Sequence, residues 1–155
     1  MGQNILENLL AFSIFTFLTI VKLHSNSLIQ AIARITSKRF RHPDDAAFFG
    51  KQKGIADGVL APLDQTGQRI WQNDIENIYP YLFVGVVFSL SGPMLMIQIT
   101  YFTIFLLTRI LHSVFLIFPK QPHRNIFYQG GNVITMVTIL HTIWNLYHLS
   151  GISLV

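Results

Sequence analysis

Apolar residues along the chain fall into long blocks, separated by one long and one short polar stretch. The first block runs from about Ile5 to Ala33. Lys22 and His24 interrupt it, but Asn8 to Val21 is uncharged and, with its flanks, meets the roughly 20 residues that one bilayer crossing needs. No residue between Glu76 and Arg109 is charged, a run too long for one ordinary helix. Ser89-Leu-Ser-Gly-Pro93 breaks it with strong turn residues, which predicts two helices joined by a tight hairpin. Pro80 lies inside the first of these and is expected to kink it. A last apolar block follows Asn125. The pattern predicts an all-α membrane protein, a four-transmembrane-helix bundle forming one domain over 1–155, with helices at about 5–34, 68–90, 94–118 and 125–150. The 35–67 segment, which holds Lys38, Arg39, Arg41, Asp44, Asp45, Lys51, Lys53, Asp57 and Asp64, reads as a polar loop outside the bilayer.

Composition agrees with lipid as the solvent: 51% of residues are hydrophobic and only 12% charged, about half the usual charge of a soluble domain. The net charge of +4 would suit nucleic acid, but the basic residues cluster in loops one and three rather than along a polar face. That distribution reads as topology and is expected to put both loops on the cytoplasmic side. The N-terminus has no basic region ahead of its apolar run, so the run is expected to be a retained spanning helix and not a cleaved signal. There is no cysteine, so any sulfur chemistry must arrive with a ligand.

Three groups of polar residues sit where polar groups are costly. On a helix, Arg69, Asn73 and Glu76 are spaced i, i+4, i+7 and share a face. They read equally as a ligand-binding face or as a solvated helix end with an internal ion pair. Arg109 and His112 are spaced i, i+3 in the third helix, with Arg109 well inside the apolar run. A buried guanidinium needs a partner, and the expectation is an interhelical pair with Asp74 or Glu76. His123-Arg124 with Tyr128 opens the last helix, where a snorkelling arginine is also commonplace. His141 and His148 have no accompanying carboxylate, so they read as packing or interfacial residues and no metal site is expected.

Taken together, these segments resemble the membrane-associated proteins in eicosanoid and glutathione metabolism, the MAPEG family. The matching stretches are Arg34-Ile-Thr-Ser-Lys-Arg-Phe-Arg-His-Pro-Asp-Asp-Ala46, Phe49-Gly-Lys51, Arg69-x-x-x-Asn-Asp-x-Glu-Asn-Ile-x-Pro80, Ser89-Leu-Ser-Gly-Pro93, Arg109-x-x-His112 and Gln121-Pro-His-Arg124. They keep the family order over almost the whole chain. The resemblance implies a homotrimer in the endoplasmic reticulum membrane, with glutathione held between subunits near the cytoplasmic face. It implies that Arg34, Arg69, Asn73, Glu76, His112 and Tyr128 bind glutathione and that Arg124 faces its thiol. Trp71 and Gln72 stand where the family has a histidine and often a further basic residue, and Phe115 or Leu116 where several members have a tyrosine. The implied activity is transfer of glutathione to hydrophobic electrophiles arriving from the bilayer, with reduction of lipid hydroperoxides as an added expectation. Isomerisation of a prostaglandin endoperoxide and non-catalytic lipid binding are the alternatives.

Overall fold

A computed structural model describes residues 2–50, 59–118 and 120–151, with side chains from Asn4 onward. Lys51, Lys53, Asp57 and Pro119 lie outside the described residues, and with Lys51 goes the end of the Phe49-Gly-Lys51 stretch. The elements are five helices: α1 (Gly2–Ser37), α2 (Pro43–Gly50), α3 (Pro62–Leu90), α4 (Leu95–Ile117) and α5 (His123–Ser150). Two of them, α1 over Asn4–Ser37 and α4, are long and apolar enough to cross a membrane.

The 35–67 segment differs from the expectation. Pro43-Asp44-Asp45 starts a short helix there, with both carboxylates at its positive N-terminal end. The next helix begins at Pro62 rather than near Gln68. Proline suits a first helical turn, where its missing N–H would have no partner, and Asp64 follows in that turn. The chain also stays helical through Pro80.

Burial along α1 is inverted relative to a soluble helix. Asn8, Phe15, Thr19, Leu23, Asn26, Gln30 and Ala33 form one buried stripe at helical steps. Most of the remaining surface is apolar and exposed, with Leu6, Leu10, Phe17, Leu28 and Ile32 each at least 60% accessible, although Glu7, Ser13, His24, Ser25 and Ser27 are exposed as well. A polar stripe turned inward beneath an apolar exterior is the arrangement lipid favours.

The chain divides into two compact units, residues 22–73 and residues 1–21 with 74–155. In the larger unit the core is aromatic. Tyr81 and Phe105 stack at 3.7 Å with near-parallel rings, and Phe15 stacks on Phe102 at 4.5 Å. A Cβ on Gly85 would come within 3.0 Å of the Phe12 ring, so glycine is what lets that ring lie against α3. The predicted hairpin is present. α3 ends at Leu90, Gly92 adopts a left-handed φ of 70°, and α4 starts after Met94. A knot of amides closes this end: Asn8 Nδ2 donates to the Pro93 carbonyl (3.0 Å), while Gln98 Nε2 donates to the Asn8 carbonyl (2.7 Å) and to Ser89 Oγ (3.1 Å).

The smaller unit holds the end of α1, α2 and the start of α3. Phe40 is buried and packs on Gly50, and Ile70 and Asp64 are fully buried. At Gly67 a Cβ would lie 2.7 Å from Gln30 Cγ, so a side chain there would require Gln30 to move.

Candidate functional site

The end of α1 carries the first candidate residue, Arg34, in the smaller unit. Its Nε donates to Asp64 Oδ2 at 2.9 Å, and its Nη2 to Asp64 Oδ1 and Gln30 Oε1, both at 3.1 Å. This is the fork-to-fork geometry that makes arginine–carboxylate pairs strong and directional. Arg41 shares the same carboxylate at 3.5 Å and also donates to Gln68 Oε1 at 3.3 Å. Two guanidinium groups around one carboxylate leave the cluster with a net positive charge. The bonds use three N–H groups of Arg34, and the two on Nη1 lie outside them. The sequence pattern places Asp64 in a polar loop and gives no sign that it is the partner of Arg34. Pro62 at a helix start, two residues ahead of it, was the signal that could have found it.

Along α3, Ile70, Asp74, Ile78 and Tyr81 form the buried face. Arg69 and Glu76 are exposed and Asn73 is half-buried, so the three share a face other than the buried one. Of the two acids considered for Arg109, Asp74 is the fully buried one, and its carboxylate attracts the Arg109 guanidinium.

Arg109 is itself fully buried in the larger unit. Its Nη2 donates to the backbone carbonyls of Phe127 (3.1 Å) and Tyr128 (3.2 Å) in α5. Its Cζ lies 5.7 Å from the Phe105 ring centre and 5.8 Å from that of Tyr128, within cation–π range. The guanidinium lies across Gly131, where a Cβ would overlap Nη2 and come within 2.8 Å of Cζ. Backbone carbonyls as partners for this arginine were not foreseen from the sequence, although Gly130-Gly131 within a helix hinted at a close approach.

One turn along α4, His112 is buried, with Nδ1 3.1 Å from the Arg124 carbonyl. A carbonyl only accepts, so Nδ1 carries the proton. The His112 ring meets Tyr128 at 5.8 Å. Next on this face, Phe115 stacks on His123 (5.3 Å) and on Phe127 (5.4 Å). Arg109, His112, Tyr128 and the backbone of Arg124 are thus brought together, while the side chain of Arg124 is exposed. His141 accepts or donates a bond with the Tyr101 hydroxyl at 3.3 Å and meets Phe88 at 5.2 Å, a packing role; His148 lies edge-on to the exposed Trp144.

Residues 35–144, well over half the chain, match the sequence profile of the MAPEG family. The chain belongs to the MAPEG family. Among the relatives of this MAPEG protein, microsomal glutathione S-transferase 1 of Mus musculus is 35% identical over 134 residues, covering 84% of this chain and 85% of the relative. The Bos taurus protein of that name is also 35% identical, over 133 residues and the same shares of each chain. Prostaglandin E synthase of Macaca fascicularis is 30% identical over 135 residues, covering 86% of this chain and 87% of the relative.

Proposed function

We propose that this MAPEG protein is a membrane-bound glutathione transferase acting on hydrophobic electrophiles. In this reading the chain is one domain that crosses the endoplasmic reticulum membrane four times. The basic stretches 35–67 and 119–124 face the cytosol, and three copies assemble. The relatives named glutathione S-transferase support the activity, and the basic residues gathered in those two stretches support the orientation.

Glutathione carries two carboxylates, one ammonium and a thiol. Nη1 of Arg34 and the exposed Arg69 suit the carboxylates, Glu76 suits the ammonium, and Asn73, His112 and Tyr128 offer hydrogen bonds. Asp74 with Arg109 is the structural pair that ties α3 to α4. Arg124 stands beside the sulfur. A free thiol has a pKa of about 8.5, and lowering it by about two units requires roughly 2.7 kcal/mol of preference for the thiolate. A guanidinium close to the sulfur provides a preference of that size. The thiol proton leaves to water. The thiolate then forms a carbon–sulfur bond, and with an aryl halide the halide departs with the bonding pair. Reduction of a lipid hydroperoxide by two glutathiones, giving an alcohol, water and the disulfide, is the second expected activity.

The observation that carries this reading is the packing of Arg109, His112 and Phe115 against the first turns of α5, which leaves Arg124 presented outward. The test is Arg124→Ala in purified protein. Conjugation of an activated aryl halide and the ultraviolet absorbance of bound thiolate should both disappear, while the tripeptide lacking sulfur still binds. Survival of both signals would overturn the role of Arg124. The prostaglandin E synthase relatives favour a second reading, isomerisation of a prostaglandin endoperoxide. Product analysis with that substrate separates the two.

A further inference from the structure

Three residues on one face of α4 hold the beginning of α5, each by a different contact. Phe115 stacks on the rings of His123 and Phe127. Arg109 takes the carbonyls of Phe127 and Tyr128. His112 takes the carbonyl of Arg124. Arg124 is exposed and has a long flexible stem, so the placement of its backbone decides what volume its guanidinium reaches. A carbonyl oxygen has two lone pairs, so the His112 bond can add to the ladder of the helix without replacing a rung.

We propose that His112 is a positioning residue: its Nδ1–H, donated to the Arg124 carbonyl, sets how the first turn of α5 presents Arg124 to the thiol. This rests on the reading of Arg124 as the group beside the sulfur, and it separates two roles for one imidazole. Nδ1 serves the backbone of α5. Any contact with glutathione belongs to Nε2. Tilting the ring to improve one would strain the other, because Tyr128 lies against it at 5.8 Å.

Two substitutions divide the ring's nitrogens. His112→Asn keeps an N–H near the Nδ1 position and removes Nε2. His112→Gln reaches the Nε2 position and removes the Nδ1 donor. The expected result is that H112N raises KM for glutathione, because Nε2 is gone, while kcat stays within about threefold of the parent. H112Q should lose about 30-fold in kcat, the scale of a misplaced reacting group, with KM for glutathione within about twofold. Hydrogen exchange of the amides of residues 123–127 should speed up in H112Q only. If H112N loses as much kcat as H112Q, or if the amides of residues 123–127 exchange alike in both, the positioning role is wrong. Arg124→Ala serves as the control: thiolate that persists in it refutes the reading of Arg124, not the contact. The exchange comparison then decides on its own, with equal exchange in the two His112 variants sinking the positioning role and a difference confined to H112Q upholding it.

Discussion

Arg34 and Arg109 are held in two regions of the molecule by different partners. In the 22–73 unit, Arg34 meets a buried carboxylate, Asp64, with its fork, and a second arginine, Arg41, leans on the same group. In the other unit, Arg109 turns its Nη2 onto two carbonyls of the α5 backbone, between the rings of Phe105 and Tyr128. The first setting depends on a side chain and fails when that side chain loses its charge. The second depends on the path of a helix backbone and on the absence of a side chain at Gly131. The first is therefore sensitive to charge, while the second, which also feels the buried Asp74 carboxylate, is sensitive to volume as well.

Gly131→Ala should show the largest effect. A single methyl would displace the guanidinium from the two carbonyls that hold its Nη2 and disturb the setting of a buried charge, at about 3 kcal/mol or more. Thermal unfolding in detergent, followed by circular dichroism, measures it. Pairing the change with Arg109→Met sharpens the comparison. With the guanidinium gone the added methyl has less to strike, so G131A should cost less than half as much in that background. Equal costs in both backgrounds would show that the two residues do not compete for space. Asp64→Asn comes next, at about 2 kcal/mol, because it leaves two neighbouring guanidinium groups without their shared carboxylate. Its loss should grow smaller in high salt, whereas that of G131A should be salt-independent. Gly67→Ala is the mildest of the three sites, at about 1 kcal/mol, since Gln30 can shift to admit a methyl. A cost as large as that of G131A would mean that the start of α3 is as rigid as the α4–α5 seam.

Much of this arrangement could be read from residue patterns, and the failures have physical causes. Ser89 to Pro93 announced a turn because glycine and proline restrict what the backbone can do locally. That turn is present, with Gly92 in the left-handed region. The need of Arg109 for a partner was also legible, because a charge in an apolar run has few alternatives. The carbonyl partners were not, since any helix offers carbonyls and only its approach distance selects them. Asp64 was missed for another reason. Apolar periodicity starts near Gln68, while the helix itself starts at Pro62, with Asp64 and Gln65 on its first turn. Of the site residues, the shared face of Arg69, Asn73 and Glu76 follows from helical spacing, whereas the service of His112 to the backbone of Arg124 depends on how α4 meets α5.

The amides at the hairpin end tie the beginning of the chain to its middle. Asn8 donates to the Pro93 carbonyl, and Gln98 donates to the carbonyl of Asn8. During synthesis the first helix therefore waits for the Pro93 carbonyl that its asparagine amide takes, 85 residues further along the chain. A nascent chain halted before Pro93 and Gln98 have emerged should hold its first helix loosely and expose it to quality-control proteases, whereas one halted after both have emerged should already resist them.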